Sequence, residues 1–352
     1  MFYIHQTSCI SPQHSPGKVD WNVLMEPVDK KLQAIEPAYG GIPPGVLRRM
    51  GKAVRMGVGA ALPLLHNNTV PDGIIIGTTD GGKEDSAKFL NQIVDYDEGM
   101  LTPLNFVQST PNAVAAQIGL LTKNHGYNIT HLQPGLAFEF AMIDADMLLN
   151  ENPLNNYLLG AVDDISEKNY CSEEKAGWYK KEDISNKILY ETNPMAIGSP
   201  GSIAGEAATM FLVNGNEVDS ILKVHAVDTL HHEDELAAKE KIQDFIKKYL
   251  PAGEKIDLLL TGENGDNRLL KYYSSCESVI DGDITIARFK HMSGEYPTAT
   301  AMGLCLCCEL LPKQTMPGHM IKRKGSAGKY KNVLIYNNYR GIQHSFMLVS
   351  VQ

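Results

Sequence analysis

The chain of 352 residues has no run of about 18 consecutive apolar residues, so no membrane-spanning helix is expected. It has no excess of positive charge either: 32 Lys and Arg stand against 41 Asp and Glu, a net charge of −9. A nucleic-acid or anionic-membrane partner favours a basic face, so both are excluded as expectations; an acidic carrier protein, which needs only a local basic patch, is not. Met1-Phe2-Tyr3-Ile4-His5 lacks a basic region followed by an apolar one, so no signal peptide is expected. The six cysteines, Cys9, Cys171, Cys276, Cys305, Cys307 and Cys308, have neither the spacing of a zinc site nor that of a disulfide framework. Those in Leu304–Leu311 read as small buried hydrophobes on a helix. No metal and no cofactor is expected, and a reducing cytoplasm is the economical compartment.

What remains is an ordinary globule, 43% apolar and 21% charged, long enough for two domains or one duplicated core. A first strand is expected to end at Ser11-Pro12, followed by irregular structure over 13–45. Met50, Val54, Val58, Ala61, Leu62 and Leu65 recur at helical spacing. Asp72-Gly73-Ile74-Ile75-Ile76-Gly77 reads as a buried strand. A helix around Ala87, Phe89, Leu90 and Ile93 is expected next, and another over Ala113–Leu121. Tyr157–Asp164 is a strand with an acidic end, and 166–193 reads as a polar surface excursion. Met210–Val213 is strand-like. Asp234–Tyr249 predicts an amphipathic helix with Leu236, Ile242, Phe245, Ile246 and Tyr249 on one face. Asp257-Leu258-Leu259-Leu260 echoes Asp72 onward, a repeat of about ten residues. Ile284–Phe289 is a strand, a small-residue helix runs to Leu311, and Val333–Tyr336 and Ser345–Val349 close the chain as a hairpin-like pair.

The most informative stretch is Asn128–Phe138. It reads as a strand ending at Leu132, a sharp Gln133-Pro134-Gly135 turn, and an apolar helix, with Pro134 at the helix's first position and Gly135 admitting a neighbouring backbone. Strand–sharp turn–buried helix is the layout that lifts a nucleophile out of a sheet. Here the apex residue is Gln133, and an amide is no nucleophile.

This stretch resembles the β-ketoacyl synthases of the thiolase superfamily, whose active members carry the acyl chain on a cysteine at the apex. Further motifs match in order. Gly262-Glu263-Asn264-Gly265-Asp266 resembles the family's Asn-x-His-Gly-Thr motif, with Asn264 at the histidine. Lys290 and Gly294 fit its Lys-x-x-x-Gly-His motif, with Glu295 at the second histidine. Gly205-Glu206-Ala207-Ala208 resembles the supporting Gly-Glu-Gly-Ala motif, Asn112 matches a family asparagine, and Asn337–Ser345 loosely resembles the glycine-rich gating loop, with Tyr339 or Arg340 filling space that glycine and phenylalanine share there.

The resemblance implies a thiolase-like five-layered α/β/α/β/α fold with two duplicated halves, 1–214 and 215–352. The Cys-His-His set becomes Gln133, Asn264 and Glu295, with Lys290, Glu206 and Asn112 in support and Phe106, Val107, Gln108 and Tyr339 as acyl-channel positions. Lys290 has either Glu295 or Glu206 as a possible buried partner. Decarboxylative condensation needs a thiolate for the acyl chain and donors for the enolate. With all three positions changed, the chain resembles the chain-length factors, non-condensing subunits that pair with an active synthase and shape its acyl tunnel in aryl-polyene or type II polyketide-like pathways. The partners implied are an active synthase subunit, or a second copy of this chain, and an acyl carrier protein. The alternatives are an active 3-oxoacyl-carrier synthase or acyltransferase using Glu295 as base with Lys290, and a malonyl-carrier decarboxylase; the latter relies on the two histidines replaced here. His231-His232-Glu233-Asp234 reads as an exposed helix start, and the basic run Lys322–Lys331 as a solvated loop.

Overall fold

Two five-stranded sets with one topology form the frame. The computed structural model describes residues 1–13, 19–68, 70–79, 81–182, 185, 199–280, 282–326 and 328–351. The first set comprises β1 (Phe2–Ile10), β3 (Gly73–Thr78), β4 (Tyr127–Leu132), β5 (Tyr157–Asp163) and β7 (Ala207–Asn214). In space it runs β1-β7-β5-β3-β4, with β7 antiparallel to both neighbours and β5, β3 and β4 parallel. The second comprises β8 (Leu222–His231), β9 (Leu258–Thr261), β10 (Thr285–Arg288), β12 (Asn332–Tyr339) and β13 (Gln343–Val351). Its order is β8-β13-β12-β9-β10, with the same senses. Counted along the chain, each set reads 1-5-4-2-3, so the fold is duplicated. β1 pairs antiparallel with β8 from Phe2↔Val224 to Ile4↔Leu222 and joins the sets. A short β11 (Ile321–Arg323) is added outside β10, and β2 (Lys31–Leu32) pairs with β6 (Ala204–Gly205) apart from the main sheet.

Alternation along the buried strands divides the core. Ile75 joins Leu258 and Leu260 in a central cluster with Phe138, Ala141 and Met142 of α6 (Ala137–Glu151) and Met302, Cys305 and Leu306 of α11 (Thr300–Leu310). Ile74 and Ile76 face outward to Val54 and Val58 of α2 (Lys52–Ala61) and Val114 and Ile118 of α5 (Ala113–Thr122). Leu259 faces the opposite exterior, against Ile242 and Phe245 of α8 (Glu235–Tyr249) and Tyr273 of α9 (Leu270–Val279). Helix, sheet, helix, sheet, helix is the resulting order, the thiolase-like architecture. The two aliphatic triplets at Ile74–Ile76 and Leu258–Leu260 sit in the second strand of each set, where parallel strands covered on both faces read as continuous apolar runs.

Some expectations need correction. Leu236 lies in the first turn of α8 and is 63% exposed, so the buried face is Ala238, Ile242 and Phe245. The helix expected around Phe89 is present as α3 (Lys83–Asp95), but buries no residue; Leu90 and Val94 point to solvent. The polar excursion contains a helix, α7 (Glu167–Lys175), and most of its length past Lys181 lies outside the described residues. No helix among the described residues is long and apolar enough to cross a membrane.

Candidate functional site

Gln133 follows directly on β4, as the spacing predicts, and its backbone carbonyl accepts hydrogen bonds from the Thr79 hydroxyl at 3.0 Å and the Leu136 N–H at 3.3 Å. Pro134–Leu136 form a turn, and α6 starts only at Ala137, so Pro134 precedes the helix instead of opening it. Gly135 has φ +77°, and a Cβ there would collide with the side chains of Gln343 and Tyr339. Buried Tyr339 therefore packs directly on the apex turn.

The other two family positions meet in one buried cluster. Lys290 opens a four-residue helix, Lys290–Ser293, that ends at Gly294 with φ +76°. Gly294 packs against the Gly205 backbone, and the Glu295 N–H donates to the Ile203 carbonyl at 2.8 Å while its carbonyl accepts from the Gly205 N–H at 3.0 Å. This strand-like clamp fixes Glu295 with its carboxylate inward, 9% exposed, and not on the surface. Lys290 Nζ donates to both Glu295 oxygens, at 2.9 and 2.8 Å, and Asn264 Nδ2 donates to Glu295 Oε2 at 2.5 Å. Asn264 Oδ1 accepts from the Asp266 N–H at 3.1 Å, so the amide orientation is set from both ends. Burial pulls the Lys290 pKa down, and the adjacent Glu295 carboxylate opposes it.

Of the two partners open to Lys290, Glu295 is the one found. Glu206 points away to the other side: Oε1 accepts from the Ala34 N–H at 2.7 Å and from Lys52, and Oε2 from the Ile165 N–H at 2.9 Å. Its motif supports the site through the Gly205 backbone alone. Asn112 stands exposed at the N-cap position of α5 without a side-chain capping hydrogen bond; its Oδ1 instead accepts from the Thr130 hydroxyl of β4 at 2.9 Å. Among the channel positions, all in α4 (Pro103–Gln108) except Tyr339, Phe106 and Val107 are 58% exposed, and Gln108 turns inward to accept from the Gly51 N–H at 3.4 Å. Two of the five cations of the basic run are paired, Lys322 with Glu263 and Glu277 and Lys331 with Glu254, while Arg323, Lys324 and Lys329 are exposed to solvent. Asp234 caps α8 by accepting from the Leu236 N–H at 3.0 Å. No three His, Cys, Asp or Glu side chains among the described residues group to hold a metal ion.

Several residues of this region were not picked out from sequence. Asp163, at the acidic end of β5, is fully buried. Its Oδ1 accepts from the Thr78 hydroxyl and the Thr79 N–H, and its Oδ2 from the Thr298 N–H and hydroxyl, at 2.7–3.1 Å, tying a first-half loop to a second-half loop. A carboxylate ending a buried strand must be satisfied in this manner, which was the available signal. Glu139 of α6 is fully buried, with neither carboxylate oxygen hydrogen-bonded among the described residues. Over the Asn264–Glu295 cluster lie Glu173, Trp178, Tyr179 and Arg340, leaving a cavity of about 20 Å³. A cavity of about 530 Å³, lined by Pro37, Tyr39, Gly59, Leu62, Leu65 and Leu121, lies elsewhere.

The model of the β-ketoacyl synthase N-terminal domain matches residues 21–198. The structure of the ishigamide ketosynthase/chain length factor superposes with a TM-score of 0.78 at 13% identity, covering 100% of this chain and 99% of that one. A β-ketoacyl synthase from Burkholderia phymatum gives 0.78 at 12% identity, covering 100% and 99%. A ketosynthase in complex with its chain length factor from Xenorhabdus doucetiae gives 0.74 at 12% identity, covering 100% and 98%. No curated protein sequence matches the chain. The structural likenesses, at these identities, carry the fold alone and include both synthases and chain-length-factor assemblies. The domain match spans half of the chain, from Trp21 through the apex turn to β5 and beyond, and on that ground the protein belongs to the β-ketoacyl synthase family.

Proposed function

We propose that the chain is a non-condensing, chain-length-factor-like subunit that pairs with an active 3-oxoacyl-carrier synthase and shapes its acyl tunnel. The observation that carries this reading is the occupation of the three family positions. Gln133 supplies no thiolate, and Glu295, held by Lys290 and Asn264, puts a carboxylate where an enolate needs donors. An anion at that place opposes the charge that develops in decarboxylation. None of the buried cysteines substitutes for the missing nucleophile: burial pushes the Cys276, Cys307 and Cys308 thiols up, and a hydrogen bond with Cys9 together with burial does the same for Cys305, away from the thiolate.

A partner subunit is supported by the outer edge of the first half. β4 is a terminal strand of the sheet, with Tyr127 and Leu132 exposed. Leu90, Val94, Leu104, Phe106 and Val107 of α3 and α4 are exposed as well, a load of apolar surface that marks an interaction face. Incubation of the purified protein with acyl carrier and malonyl carrier, read by intact mass, tests the non-condensing assignment. No adduct is expected; a stoichiometric acyl adduct lost on mutation of one residue would overturn the assignment in favour of an active transferase.

A further inference from the structure

We propose that Glu167–Lys180 is a plug, seated over Asn264 and Glu295, that closes the approach to them from solvent. Three sets of contacts seat it. The first is an aromatic clasp: the Trp178 ring is engaged by two guanidinium groups, that of Arg268 at 4.8 Å from the ring centre and that of Arg340 at 4.9 Å. Arg340 extends from the turn that follows Tyr339, at φ +57°, an uncommon conformation for a non-glycine residue, and ion-pairs with Glu173 of α7. Arg268 also donates to the Gly177 carbonyl at 2.9 Å and to Asp266.

The second set is backbone pairing: the Lys180 N–H donates to the Ser202 carbonyl and the Ser202 N–H to the Trp178 carbonyl, both at 2.9 Å. The third is a bolt. The Lys180 side chain is 1% exposed, and its Nζ donates to the Ser199 carbonyl at 2.7 Å, the Ser199 hydroxyl at 3.0 Å and the Gly265 carbonyl at 2.8 Å, next to Asn264. Long cationic side chains ordinarily keep their charge in water, so a buried ammonium spent on loop carbonyls is a specific tether.

The space left beneath, about 20 Å³, takes little more than one water molecule and no carrier arm. Both arginines bridge the plug to the rim, Arg268 from the loop that carries Asn264 and Arg340 from the turn after Tyr339, which itself packs on the apex turn. The inference concerns access and stands apart from whether the site does chemistry.

The test uses a reporter thiol, Asn264→Cys, in the full chain; Cys171, in the plug's own helix but already exposed while the plug is seated, is the internal reference. Labelling by N-ethylmaleimide is followed by peptide mass mapping. The introduced thiol is expected to react about a hundredfold more slowly than Cys171, and Trp178→Ala with Arg340→Ala to accelerate it at least about tenfold, the plug opening locally while the core stays folded. Should the double variant fail to melt cooperatively, Lys180→Met carries the comparison, with hydrogen exchange over Gly262–Arg268 as second readout. A reporter that labels like Cys171 in the intact plug overturns the proposal. So does one whose rate, and whose neighbouring exchange, do not change in a folded clasp or bolt variant. Either result leaves the adduct test of the non-condensing reading unaffected.

Discussion

Glu139 and the Lys290–Glu295 pair show how differently two buried carboxylates are accommodated a short way apart. For Glu139, burial pushes the pKa up, and the nearby Thr300 and Ser345 hydroxyls, not in hydrogen-bond geometry with it, and the Lys290 ammonium only partly offset it. A folded-state pKa above the unfolded value of about 4.3 means that the fold binds this proton more tightly. Its contribution is fully present below that value and is lost as pH rises through the folded pKa. Glu139→Gln does not titrate, so its stability relative to the parent should rise between pH 5 and pH 8 in urea melts; an equal difference at both pH values would refute the assignment. Glu295 is instead compensated by Lys290. Glu295→Gln should therefore cost about 3–5 kcal/mol by leaving a buried ammonium unpaired, whereas Lys290→Met with Glu295→Leu should recover most of the loss. Denaturant unfolding of the single and double variants checks this. Gln133, Asn264, Lys290 and Glu295 are singled out by short motifs that resemble those of the family, and the structure brings Asn264, Lys290 and Glu295 together. Trp178, Lys180 and Arg340 were not legible in this way: they are far apart in sequence, and only tertiary packing brings their charges and rings together.

At the scale of elements, the aliphatic strands and the 3.6-period helices were readable, because each buries a regular pattern. β8 was not, since Leu222–His231 interleaves Lys223, His225, Asp228 and Thr229 among apolar residues and is mostly half-buried. α3 was read as a helix, yet its apolar positions are exposed, because periodicity reports an apolar stripe and not what covers it. β4 is the element on which this matters most. An uncovered terminal strand leaves one row of backbone N–H and C=O groups available to a partner strand. If β4 pairs across a subunit interface, Thr130→Pro should abolish dimer formation by removing a donor and obstructing strand addition. Leu132→Lys should weaken dimerisation while leaving the monomer's melting temperature nearly unchanged, given 55% exposure of Leu132 in the single chain. Sedimentation velocity measures both; an unaltered dimer in the two variants would move the interface away from β4.

For the whole molecule, the duplication implied by the family resemblance has one mark in the residues themselves, the echo between Asp72 and Asp257, because ten residues of similarity are all that the two halves visibly share. The repeat appears in strand order and sense, which are properties of pairing and leave no local sequence mark. In a paired arrangement through β4, the exposed Phe106 and Val107 of α4 become candidates to line a tunnel entering from the partner. Phe106 already packs against Phe89 of α3 at 5.4 Å between ring centres, so its position is fixed before any partner arrives. An obligate subunit should then bury more than about 2,000 Å² with an active synthase. Phe106→Ala should lengthen the product and Val107→Trp shorten it, with the rate of condensation nearly unaltered, since neither residue touches the family positions. Co-expression with an active synthase carrying the intact Cys-His-His set, co-purification, and product profiling by mass measure all of this together. A synthase that makes the same products at the same rate alone, or a product length indifferent to both substitutions in a co-purifying pair, would remove the tunnel-shaping role.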